Sequence, residues 1–89
     1  MLRKAFHAGS WYSSNRDELQ AQIKGFLDAS DKSIPEGQRL KAIIGPHAGL
    51  RWSGPVAGWA YRNVEPAHFS RVVLLGPSHK VGLDFMATT

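Results

Sequence analysis

The chain has no cysteine in its 89 residues. No disulfide can therefore brace a fold that, at this size, buries only a modest share of its surface, and no thiolate can act as nucleophile or metal ligand. A basic run is also missing. Eleven Lys and Arg are scattered among seven acids, for a net charge of +4. That pattern reads as a solvated surface and gives no expectation of nucleic-acid or membrane binding. No apolar stretch approaches the ~20 residues of a membrane span. The start, MLRKAFHAGSWY, is basic but is not followed by an apolar core of signal-peptide length, so the expected location is cytoplasmic, with the nucleus also open. Dinucleotide and P-loop glycine patterns are absent, as is a G-x-S-x-G elbow. Ser78 sits beside His79, but neighbours on a turn seldom face each other, which disfavours a Ser–His pair.

What is present begins with an irregular stretch, residues 1–14, rich in aromatic and small side chains. Ser14 and Asn15 can cap a helix, and Asp17 and Glu18 follow each by three positions, the spacing of a capping box. From Arg16 to about Ala29, Leu19, Ile23, Phe26 and Leu27 fall on one helical face. SDKSIPEGQR, residues 30–39, reads as a loop. LKAIIG, residues 40–45, reads as a buried strand. After the loop PHAGLRWSG, Ser53 or Gly54 can cap a second helix with Pro55 at its first position and Val56, Trp59, Ala60 and Asn63 along one side. RVVLLG, residues 71–76, reads as a second strand. The expected architecture is α/β: helix, strand, helix, strand, in a single domain over residues 1–89.

IIGPHAG (43–49) and LLGPSHK (74–80) repeat one phrase: an apolar run, Gly-Pro, then histidine. Strand, helix and strand in about thirty residues match a βαβ unit, whose parallel strands end at the same sheet edge. Ligands of open α/β sheets bind outside that edge. The repeat would thus bring His47 and His79 to one rim. Two neutral imidazoles suit iron, zinc or copper, and a third ligand is normally needed. His7 and Asp84 are the candidates within the chain. HAGSW at 7–11 echoes HAGLRW at 47–52, a pattern fit for a pocket wall. The alternative is that Trp11, Tyr12, Trp52 and Trp59 are core aromatics. His68 reads as a surface or capping residue.

Taken together, HAGSWY, IIGPHAG…SGP and LLGPSHK resemble the Memo family, named for mediator of ErbB-driven cell motility and including the Memo-like part of the bacterial AmmeMemoRadiSam set. The likeness spans nearly the whole chain, which looks like the N-terminal third or so of a family member, a truncated Memo-like domain. It implies a parallel-sheet fragment similar to the N-terminal part of class III extradiol dioxygenase folds. It also implies a metal site with Fe(II) or Cu held by His47 and His79, plus a late third ligand that in animal members is a cysteine and is missing here. His7 and Trp11 match the motif bordering the pocket, and Trp52 and Lys80 fall beside the two histidine phrases as further lining. Where the family often has a second histidine after GPSH, this chain has Lys80. Where it often has tyrosine after HAG, it has Leu50. Lys80 would repel a cation somewhat and attract an anionic ligand.

Three functional expectations follow. The first is metal-dependent redox chemistry in cell-motility signalling. The second is a non-catalytic module for phosphotyrosine-containing receptor peptides, with Trp11 and Trp52 lining the cleft and Arg51 or Lys80 meeting the charge. The third is a truncated product without independent function.

Overall fold

Asn15 caps the first helix. Its side-chain oxygen accepts the backbone N–H groups of Asp17 (2.9 Å) and Glu18 (3.1 Å), satisfying two of the orphan donors every helix start carries. Glu18 does not complete the capping box. Its carboxylate takes the Ser13 hydroxyl at 2.8 Å, and Ser13 Oγ itself accepts the Asn15 N–H. In the computed structural model, which describes residues 2–86, α1 spans Arg16–Asp28. Its last turn carries a Lys24–Asp28 ion pair at i, i+4, and the Lys24 ammonium holds the Asp28 carboxyl below its usual range. Met1 and the last three residues of the 81–89 stretch lie outside the described residues.

The second helix, α2, spans Leu50–Tyr61. It starts a turn earlier than the sequence suggests, with Gly49 in the cap position and Pro55 inside the helix rather than at its first residue. The reason is a long-range bond. The Trp11 carbonyl accepts the Leu50 N–H at 2.8 Å, while the Gly49 carbonyl accepts those of Trp52 and Ser53. Ser53 Oγ turns back to the Ala48 and Gly49 carbonyls at 2.9 and 3.2 Å. These bonds offset the one that Pro55, lacking N–H, cannot give.

The two helices pack through small residues. The buried positions of α2 are Ser53, Gly54 and Gly58, whereas Val56 and Trp59 face solvent. A Cβ on Gly54 would come within 2.1 Å of the Phe26 ring, and one on Gly58 within 2.4 Å of the Phe26 carbonyl oxygen. The expected apolar side of α2 is therefore not its packing side, and Trp52 and Trp59 are not core aromatics. No apolar side chain among the described residues is fully buried. Beyond the helices, Asn63 Oδ1 accepts the N–H groups of Ser33 (2.8 Å) and Ile34 (3.2 Å). Lys32 pairs with Glu65 at 3.4 Å. A 3₁₀ turn, Pro66–His68, presents the His68 carbonyl to Arg39.

The expected α/β parallel sheet is not there. Among the described residues there is no strand, only one isolated bridge between Ala8 and Tyr12. Residues 40–45 and 71–76 carry strand-like composition, but no ladder joins them. Ile44 is 98% exposed and Val73 85% exposed. β-propensity describes a fit to a pleated, half-buried surface. Two parallel strands alone provide neither neighbours on both edges nor cover on both faces. No helix among the described residues is long and apolar enough to cross a membrane.

Two glycine replacements separate helix propensity from packing. Nothing lies within 4 Å of a Cβ on Gly25, so Gly25→Ala is expected to stabilise by about 0.5–1 kcal/mol. Gly58→Ala gains the same propensity but must part the helices, with a net loss of about 1–3 kcal/mol. Melting followed by circular dichroism should move in opposite directions for the two; movement in the same direction would refute the packing role of Gly58.

Candidate functional site

The N-terminal stretch folds on itself around one carbonyl. The oxygen of His7 accepts the N–H groups of Ser10 (3.1 Å) and Trp11 (3.0 Å) and the Ser10 hydroxyl at 3.0 Å. Gly9 makes this possible at φ +84°, a left-handed conformation that costs a side-chain-bearing residue. The turn sets the His7 and Trp11 rings 4.9 Å apart between centroids. It also presents the Trp11 carbonyl to the start of α2. Gly49 is buried at that junction, and a Cβ there would lie 3.3 Å from both the Trp11 carbonyl and the Trp52 ring. The loop carrying His47 is thereby drawn beneath Trp11, with ring centroids 5.5 Å apart.

His79 reaches the same place from the other phrase. Ser78 Oγ donates to the Val81 carbonyl at 2.7 Å, closing a turn around His79. The His47 and His79 rings stack at 5.1 Å with 15° between their planes, and their Nε2 atoms are 3.0 Å apart. At that distance one Nε2 can donate to the other, the ring tautomers setting which does. Lys80 then extends its ammonium over the Phe6 ring at 5.7 Å, and Phe6 meets His7 edge-on at 5.3 Å. Phe6, His7, Trp11, His47, His79 and Lys80 form a continuous belt that returns to its start.

The histidines thus meet, although the sheet expected to bring them together is missing. His47 is carried by the loop fastened to the first turn of α2, and His79 by a serine-closed turn. Both rings are exposed. His7 approaches His47 only through Trp11. Among the described residues, no group of three or more His, Cys, Asp or Glu could hold a metal ion, so neither His7 nor Asp84 completes a three-ligand set with His47 and His79. Trp52 lies against Gly49 with the Arg51 guanidinium 5.7 Å from its ring, and no ring pairing joins it to the belt among the described residues. His68 lies in the 3₁₀ turn, apart from the belt. Phe6 is the member that sequence reasoning missed. Its one available signal was adjacency to His7 in a motif already singled out.

Trp11 has a second side. It lines, with Tyr12, Ser10, Glu18 and Arg51, a shallow groove of about 460 Å³ between the N-terminal turn and the helices. Arg51 is the cation in that groove and Glu18 the anion, the latter engaged by the Ser13 hydroxyl.

A family model described as Memo-like protein matches residues 3–88. Protein MEMO1 of Xenopus laevis is 46% identical over 84 residues, covering 94% of this chain and 27% of the relative. Protein MEMO1 of Homo sapiens is 42% identical over the same shares. The protein memo-1 homolog of Caenorhabditis elegans is 40% identical over 87 residues, 98% of this chain and 24% of its own length. The chain therefore spans about a quarter of the length of these curated relatives. No solved structure matches it.

Because Trp11 touches both His7 and His47, replacing it should be felt at two imidazoles at once. Trp11→Ala is expected to move the ring-proton resonances of His7 and His47 while those of His68 stay in place. Unmoved His7 and His47 signals would contradict the belt.

Proposed function

Because the chain belongs to the Memo-like family, we propose that His47 and His79 are a metal-holding pair and that the belt around them is the floor of its site. The observation that carries this reading is the 3.0 Å separation of the two Nε2 atoms. That is less than twice the ~2.0–2.1 Å length of a metal–imidazole bond such as zinc's, so one ion can reach both. The donors suit the pairing: imidazole nitrogens serve iron, copper and zinc alike. Iron or copper held there would supply one-electron chemistry, in keeping with metal-dependent redox activity in cell-motility signalling.

The chain's own residues have definite tasks in this reading. Both Nε2 atoms must offer lone pairs to an ion, so the donating ring of the present hydrogen bond has to carry its proton on Nδ1 instead. Trp11 covers one flank of His47 and limits its rotation. Lys80 would work against a bare cation and in favour of an anionic ligand beside it, and its ammonium lies 5.7 Å from the Phe6 ring centroid. Because both imidazoles are exposed, an ion held by them would leave room for a substrate to approach.

Metal content measured by mass spectrometry after incubation with iron or copper tests the proposal. The expected result is stoichiometric uptake that falls to background in the His47→Ala, His79→Ala double variant. Uptake unchanged by the double substitution would refute it.

A second reading has its own support in the Arg51 groove. Arg51 beside Tyr12 and Trp11 offers a guanidinium for a phosphate and aromatic faces for a tyrosyl ring, consistent with a phosphotyrosine-containing receptor peptide as partner. A phosphorylated peptide should bind at least tenfold more tightly than its plain counterpart, with the difference abolished by Arg51→Ala. Equal affinities would remove this reading and leave the metal proposal untouched.

A further inference from the structure

The loop at residues 30–39, SDKSIPEGQR, takes no part in the histidine belt, and its chemistry points elsewhere. We propose that Ser33 is a phosphorylation site for an acid-directed serine kinase with ATP as donor, and that the phosphate unfastens this loop from the end of α2. The proposal is independent of the metal-holding pair.

The acceptor is exposed and its hydroxyl is barely engaged. Asn63 Oδ1 faces three donors: the N–H groups of Ser33 at 2.8 Å and Ile34 at 3.2 Å, and the Ser33 hydroxyl at 3.4 Å. A carbonyl oxygen has two lone pairs, so the two N–H groups satisfy it and the hydroxyl is surplus. Residues 31–35 are in neither helix nor strand, so an enzyme can take the segment without undoing regular structure. Charge selects the enzyme. Asp31 lies two residues before Ser33 and Glu36 three after; both are exposed, and neither has an ion-pair partner among the described residues. Lys32, the cation between them, faces Glu65 at 3.4 Å. The segment therefore offers two carboxylates to a basic substrate groove. Ser14 has the same spacing to Asp17, but the Asn15 cap holds Asp17 and Glu18 in the first turn of α1, and docking there would cost that cap.

The transfer forms a bond between Ser33 Oγ and the γ-phosphorus of ATP and breaks the bond from that phosphorus to its bridging oxygen. ADP leaves, and the hydroxyl proton passes to a base of the kinase. The product carries a charge of about −1.5 to −2 and only acceptor oxygens toward its neighbours. It opposes Asn63 Oδ1, which is also an acceptor, and competes with Glu65 for Lys32. Both ties of the loop to the region after α2 are weakened together.

The test incubates the protein with ATP and casein kinase II, an acid-directed serine kinase, and maps the phosphate by mass spectrometry; circular dichroism confirms that each variant keeps its helices. One phosphate at Ser33 is expected. Ser33→Ala should lose it, Ser14→Ala should keep it, and Glu36→Gln should slow labelling about tenfold through loss of a charge-assisted contact. In the phosphorylated protein the Ser33 and Ile34 amides should exchange with solvent about three- to tenfold faster, as loss of a hydrogen bond predicts, while those of α1 are unchanged. No label at Ser33, or label there that ignores Glu36→Gln, would overturn the acid-directed site. Labelled protein whose Ser33 and Ile34 amides exchange as before would overturn the unfastening.

Discussion

The close approach of α2 to α1 over Gly54 and Gly58 is the constraint on which the rest of this molecule depends. With no apolar side chain fully buried among the described residues, large residues there do not interlock in a core. The best packing is instead backbone against side chain, with Phe26 filling the space left by two missing Cβ atoms. That contact fixes the start of α2, and the start of α2 fixes the loop that holds His47. The Trp11 carbonyl, accepting from Leu50, attaches the N-terminal turn to the same point. The N-terminal turn and the loop before α2, far apart in sequence, thus share one junction, and between them they bring Phe6, His7, Trp11 and His47 to the belt.

This junction explains which parts of the fold were legible in the sequence. The first helix was, because its signals are local: Asn15 as cap, acids in the first turn, and a 3.6-residue apolar period through Leu19, Ile23, Phe26 and Leu27. The start of α2 was not, because the Leu50 N–H is satisfied by Trp11, thirty-nine positions away in sequence, and no nearby residue announces it. Pro55 looked like a first helical residue for sound local reasons, and the tertiary bond overrode them. The packing face of α2 was misjudged because glycine contributes nothing to an apolar period, although close helix approach is the circumstance in which its missing side chain matters.

The strand segments teach a different lesson. Residues 40–45 and 71–76 have the composition of buried parallel strands, and composition is all that a sequence displays. A strand exists only through its ladder, and no ladder joins these two. The candidate site was more legible than the sheet that was supposed to build it. The repeated Gly-Pro and histidine phrase marked two loops that do meet, through ring stacking and a single hydrogen bond rather than through strand pairing. Phe6 escaped notice because nothing in its own position marks it; only Lys80, coming from the far end of the chain, gives it a place in the belt.

The energetics of the belt show why an ion would matter there. The chain is tied near Asn63 and at the His68 carbonyl, so the arm that must be held runs for roughly ten residues from Phe69 to His79. Closing a loop of that length costs about 2 kcal/mol beyond a constant. Against this stand one exposed hydrogen bond, about 0.5–1.5 kcal/mol, stacked rings worth about 0.5–1.5 kcal/mol, and the Lys80–Phe6 contact at about 0.5–1 kcal/mol. The favourable contacts are of the same order as the length-dependent part of the closure cost, so no single one of them dominates the attachment of the arm. A metal ion binding both imidazoles adds to one side only, and its binding energy becomes ordering energy for the arm. The pair is therefore a place where a ligand, more than the chain's own packing, decides how firmly residues 70–86 are attached.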